Sequence, residues 1–342
     1  MIRRWTTALV GAVTLVLGSC PTAADASVRH QPRDLGVIRV AVLNFDPTVA
    51  SEGGRRLHSV LGWTDPRTLA AGYRADVRRA SGGQVRYRVV TWKDVDAFPA
   101  SVDGLRFDVP GYLEFARTGS YPTPIMDYPR MLTESGLVKD VNRGTIDEIW
   151  LYGGPGFGYW EAAMAGPGAF DVNGGVYPDV PGLRRPVVLM GFSYERGAAE
   201  QLEDLCHRIE ATMTRIYGGW DLEHPTTNWD QFGRNQKQSP APAAVGTCHY
   251  SPNTRFEYDT TNPEPVASTA DAWLHYPHLT AATTPVSSQT WGGPDYRLNY
   301  LRWWMNHLPR ARGWNADGRL NDWWRYIYDY ARYDSQGRPL RR

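Results

Sequence analysis

Residues 36–47, GVIRVAVLNFDP, are dense in Val, Ile and Leu, broken by Arg39, until Asn44, Asp46 and Pro47 end the run. That density predicts a central strand covered on both faces and turning at its far end. SGGQVRYRVVTW at 81–92 predicts a second strand after a glycine turn, and the intervening DPRTLAAGYRADVRRA, 65–80, predicts a helix. Strand, helix, strand in that order favours a parallel unit over an all-β repeat and leaves the strand order open. TIDEIWLYGGP at 145–155 alternates and then turns at Gly153, Gly154 and Pro155, predicting a further strand. RRPVVLMGFSYERG at 184–197 predicts another, followed by a helix over 197–218 whose apolar stripe is Leu202, Leu205, Ile209, Met213 and Ile216.

Between 153 and 184 glycine and proline recur so often that the segment reads as an ordered excursion, not a long helix. Its glycines do not form a phosphate loop, since no Lys-Ser or Lys-Thr ends them, and no dinucleotide fingerprint is present. After 218 the periodicity weakens, and only 297–311 and 320–333 predict helices against the core. The fold class expected is α/β, with a mostly parallel or mixed central sheet, flanking helices and a long aromatic-rich C-terminal extension. Residues 34–333 are read as a single integrated domain and 334–342 as a basic tail.

Composition changes this picture at the N-terminus. Residues 1–26 read as an export signal and processing region: Arg3 and Arg4 precede an apolar stretch, with small residues before Cys20. LGSC resembles a lipoprotein-processing site, which would attach the protein to a membrane through a lipidated Cys20; ADAS at 24–27 offers a soluble-secretion cut after Ala26. Either way the expected location is secreted or on the outer face of the cell envelope. Cleavage before Cys20 leaves 35 basic against 36 acidic residues, without the positive field of a general nucleic-acid binder.

Three chemistries compete on this frame. Glu195 at a strand end, Glu161 on the facing loop and Asp46 at the end of the first strand are candidate acids, whereas Asp147 and Glu148 lie at the front of their strand. Paired carboxylates suit glycoside hydrolysis, and Trp150, Tyr152, Phe157, Tyr159, Trp160, Tyr194 and Arg196 would line a sugar cleft. The leading expectation is therefore an extracellular hydrolase acting on a cell-wall or environmental glycan.

A second reading starts from LEDLCHRIEATM at 202–213 and TCHY at 247–250, where each cysteine is followed by histidine. In an oxidising compartment Cys206 and Cys248 would pair, holding His207 and His249 in one neighbourhood. Glu203, His207 and Glu210 share one helical face, so His207, Glu210 and His249 form a candidate metal set, with Glu203 or Glu210 available to orient His207. No motif demands a cofactor; Zn²⁺ would suit this set, and Ca²⁺ is the other ion considered. CHRIE is not HExxH, and Ser193 lacks a nucleophile elbow.

The third reading is a non-catalytic carbohydrate-binding protein using loop rings and the pairs Trp303-Trp304 and Trp323-Trp324, with His307 near a cleft. Adjacent helical residues do not share a face, so neither pair forms a flat platform.

EIWLYGGPGFGYWE, MAGPGAF, VVLMGFSYERG and the late HLP segment resemble a group of secreted bacterial proteins with no assigned activity. The resemblance implies an extracellular location and an integrated α/β domain, and transfers no site residue.

Overall fold

The computed structural model describes residues 35–340. The expected export segment, Cys20 and the last two arginines lie outside the described residues. Six strands form the main sheet: β1 (Val37–Phe45), β2 (Arg86–Val95), β3 (Glu148–Gly153), β4 (Ala162–Ala165), β5 (Val176–Tyr177) and β6 (Val187–Ser193). Their spatial order is β2-β1-β3-β6-β4-β5. β2, β1, β3 and β6 run parallel, β4 is antiparallel to β6, and β5 is parallel to β4.

The central strands are largely apolar because both faces are covered. Val40, Val42, Trp150, Tyr152, Val188 and Met190 enter one core. Ala41, Leu43, Ile149, Leu151, Val187 and Leu189 enter the other. This alternation of neighbours between two cores explains the absence of an apolar–polar alternation in β1. It also overturns a sequence expectation: Trp150, Tyr152 and Tyr194 are completely buried, so these rings build the core and line no sugar cleft.

Three helices cover the first core: α1 (Pro66–Ala80), α2 (Ala198–Tyr217) and α3 (Tyr296–Asn306). Asp65 caps α1 by accepting from Thr68 N at 2.8 Å, with Pro66 in the first turn. α2 begins where Glu200 reaches back to Gly197 N at 3.0 Å and ends at Gly218, whose φ of 79° is the left-handed cap conformation. The predicted stripe Leu202, Leu205, Ile209, Met213 and Ile216 is buried. Shorter helices Val109–Thr118, Tyr128–Glu134 and Val138–Asn142 contribute Tyr112, Tyr128, Met131 and Val141 to the opposite core.

Two differences from the sequence reading concern the later chain. The glycine-rich excursion contributes β4 and β5 to the main sheet; AAMA carries too little β-branched or aromatic character to signal a strand. Within 320–333 only Trp324–Tyr328 is α-helical, and Leu320–Asp322 pairs with Arg310–Trp314 as a small antiparallel ribbon. Trp304, Trp323 and Trp324 are fully buried, and His307 is buried with its Nδ1 2.7 Å from the Trp303 carbonyl. Burial pushes the His307 pKa below the ordinary histidine value. These aromatic pairs therefore serve packing.

Candidate functional site

From β1 the chain moves through α1 to β2 on one side, then crosses to β3 on the other, so the order reverses between β1 and β3. At that switch point, just beyond β1, Asp46 is 2% exposed and both its oxygens are taken by one residue. His58 N donates to Oδ1 at 3.1 Å, and His58 Nδ1 lies 2.6 Å from Oδ2. Asp46 thus positions an imidazole and is not a free site acid, correcting its expected role. His58 itself was missed; no spacing rule links it to an acid twelve residues earlier.

Glu195 and Glu161 have different surroundings. Glu195 lies beside Arg196 at 3.5 Å, and its charge reaches Tyr112 and Tyr121. Glu161 accepts from Asn173 Nδ2 at 2.5 Å, and its charge reaches Asp204, His207 and Tyr258 instead. Trp160 is 39% exposed, while Tyr159 and Arg196 line a polar hollow with Glu161.

The Cys-His repeat does converge. Cys206 and Cys248 form a disulfide with their Cα atoms 5.9 Å apart. His207 Nε2 and His249 Nε2 face each other at 2.9 Å. Glu203 Oε1 lies 3.0 Å from His249 Nε2 and 3.9 Å from His207 Nε2. Both rings are held from behind, His207 Nδ1 by Glu210 Oε2 at 3.2 Å and His249 Nδ1 by Glu257 Oε1 at 2.7 Å. The other oxygen of Glu210 accepts Cys248 N at 2.8 Å, so the disulfide and the carboxylate fasten the same loop to α2.

A count of donors shows what this arrangement needs. A carboxylate only accepts, so each Nδ1 carries the hydrogen it donates to Glu210 or Glu257, and in the neutral ring Nε2 then presents a lone pair. Two lone pairs and a carboxylate oxygen converge on one point. Tyr258 OH, 2.8 Å from both Glu203 Oε1 and His249 Nε2, supplies a single hydrogen. The remaining acceptors call for a proton or a cation. Consistently, although burial lowers the His207 pKa, the hydrogen bond and charge of Glu210 and the charge of Glu161 raise it overall.

Backbone strain gathers at the same place. Among the described residues, Asn173 and Tyr258 are the two non-glycine residues with positive φ, 83° and 62°. One fixes Glu161 and the other places its hydroxyl on the cluster. A bulky side chain in the left-handed region persists where surrounding contacts impose it, as functional sites do. Asp204, on the floor of the adjoining hollow, has its pKa raised well above the carboxylate range by burial and then by Glu161 and Glu200.

Glu203 therefore takes the ligand-facing position that the sequence reading gave to Glu210, and Glu210 stands behind His207. Glu257 and Tyr258 were missed: they follow His249 by eight and nine residues across a loop without periodicity. Comparison with protein-family models, curated proteins and solved structures yields no match, so the site is read from its own geometry.

Proposed function

We propose that the protein is a zinc-dependent hydrolase of amide or ester bonds, with Glu203, His207 and His249 as ligands. The observation that carries this reading is the meeting of Glu203 Oε1 with two imidazole Nε2 atoms, each ring fixed by a carboxylate on its other nitrogen. Tetrahedral zinc, with bonds of roughly 2.0–2.1 Å, separates its ligand atoms by about 3.3 Å. The observed spacings of 2.9, 3.0 and 3.9 Å bracket that value. Two imidazole nitrogens suit zinc, whereas calcium takes oxygen ligands. Arg297 holds the other oxygen of Glu203, which orients the carboxylate and leaves Oε1 for the ion.

When bound, zinc polarises a carbonyl and acidifies water. The chain's own residues complete the chemistry. Glu161, anchored by Asn173 in the adjoining hollow, is assigned to proton transfer, and the Tyr258 hydroxyl is assigned to a developing oxyanion. An exported enzyme working outside the cell fits the expected signal and the disulfide.

Elemental mass spectrometry on protein purified without chelator or histidine tag tests the reading. About one zinc per chain is expected, lost in a folded His207→Ala/His249→Ala variant. Wild-type protein that stays metal-free after incubation with zinc would overturn it. Glu210→Gln and Glu257→Gln are each expected to weaken zinc binding about 10- to 100-fold. Competition with a chromogenic chelator measures this, and unchanged affinity would deny those carboxylates an orienting role.

A further inference from the structure

Two of the three proposed ligands face open hollows along α2, Glu203 lining one and His207 the other. On one side of the Glu203–His207 pair is a polar hollow of about 320 Å³, reaching the Gly154–Gly158 loop, Ser193 and Arg196. On the other is a hollow of about 620 Å³, ending at Arg215 and Trp220. They abut where Glu161, on the wall of the first, meets Asn173, on the wall of the second. Their floors follow one another along a single stripe of α2 and its cap, Glu200 and Asp204 under the first and His207, Ala211, Thr214 and Gly218 under the second, at intervals of three or four. At the helical rise per residue, Glu200 to Gly218 spans about 27 Å. Glu203 and His207 sit inside this length.

A small-molecule site encloses its ligand, whereas a furrow along a helix receives an extended chain. The choice of chain follows from the floor and walls. Backbone groups of a helix are already paired, so a peptide finds no strand edge there to extend. Recognition falls to side chains: Glu161, Asp171, Glu200, Asn173 and Thr214 offer acceptors and donors suited to a chain of hydroxyls. Acid-rich walls disfavour a polyanion and tolerate an amine cation. A single metal acting on a carbonyl leaves glycosidic bonds aside, and the carbonyls of a glycan lie in its acyl substituents.

Resting on the metal-hydrolase reading, we propose that the furrow binds a linear N-acylated glycan and that the triad removes an acyl group from a unit within the chain. In that step water adds to the acyl carbon and the C–N bond breaks. The acyl group leaves as the carboxylic acid, and the amine nitrogen takes up the proton. Nothing is oxidised or reduced.

The test uses N-acetylglucosamine and its β-1,4-linked hexamer as probes. Calorimetry on zinc-loaded and chelator-stripped protein is expected to show the hexamer binding about tenfold or more tighter than the monomer in both forms. Trp220→Ala, and the exposed Arg196→Ala as a variant that leaves packing untouched, should erode the hexamer preference. Acetate release should require zinc. A zinc-loaded protein that cleaves p-nitrophenyl acetate but binds monomer and hexamer alike overturns the glycan inference and leaves the hydrolase reading standing. Hexamer preference in a protein that never takes up zinc overturns the hydrolase reading, and the deacylation step with it.

Discussion

Arg208→Ala is expected to destabilise the protein by about 3–5 kcal/mol, among the largest effects of any single substitution in this fold. Arg208 and Glu148 are each 1% exposed and paired at 2.6 Å beneath the sheet. Glu148 also accepts from Trp150 Nε1 at 2.8 Å and Tyr87 OH at 3.2 Å, and Arg208 donates to the Ile327 carbonyl at 2.9 Å. Removing the guanidinium strands a carboxylate in the core, where its desolvation is uncompensated. Urea unfolding of wild type and variant measures the loss. A Glu148→Leu/Arg208→Met double variant should recover part of it but not all, because Trp150 Nε1 would then lack its acceptor, whereas Tyr87 OH keeps Tyr328 OH at 2.7 Å. A loss below about 1 kcal/mol in Arg208→Ala would mean that water reaches Glu148 and that the pair anchors nothing.

The second large effect belongs to the disulfide. Cys206 and Cys248 are 42 residues apart, and a cross-link closing a loop of that size is expected to contribute about 4 kcal/mol, chiefly by restricting the unfolded chain. The Cys206→Ser/Cys248→Ser variant should lose that stability, and zinc affinity should fall with it, because His249 is held against His207 by the adjoining bond. Denaturant unfolding checks the first outcome and a zinc titration of the variant under folding conditions checks the second. Undiminished zinc affinity would assign the convergence of the two rings to Glu210 and Glu257 alone.

Much of this architecture is legible in the chain, and the illegible parts have physical reasons. β1, β3, β6 and α2 announce themselves because a two-sided core demands dense apolar runs and an apolar helical stripe, while the edge strand β2 is marked by its preceding glycine turn. β4 escapes notice because three alanines and a methionine at an antiparallel position can be buried without strong strand propensity. Trp150, Tyr152 and Tyr194 resemble a cleft in sequence, since aromatic residues serve cores and sugar faces equally well. Only tertiary packing decides between those uses, as where Tyr73 of α1 meets Trp150 and Trp92 of β2 stacks on Tyr152. The neighbourhood of His207 and His249 follows from the repeated Cys-His pair. The division of labour between Glu203 and Glu210 does not, because spacing puts both on one face without saying which side of the ring each approaches. Glu257 and Tyr258 arrive through a loop whose path depends on the folded whole.

α2 has two unlike working sides. The stripe through Leu202, Leu205, Arg208, Ile209 and Met213 is keyed to the sheet, while the stripe through Glu200, Asp204, His207 and Ala211 faces the furrow. The first set holds the fold together, and the second, apart from the cap that Glu200 gives Gly197, is not needed for that packing. Substitutions at Asp204 and Ala211 along that helical edge can therefore reshape the furrow while the face keyed to the sheet stays unchanged.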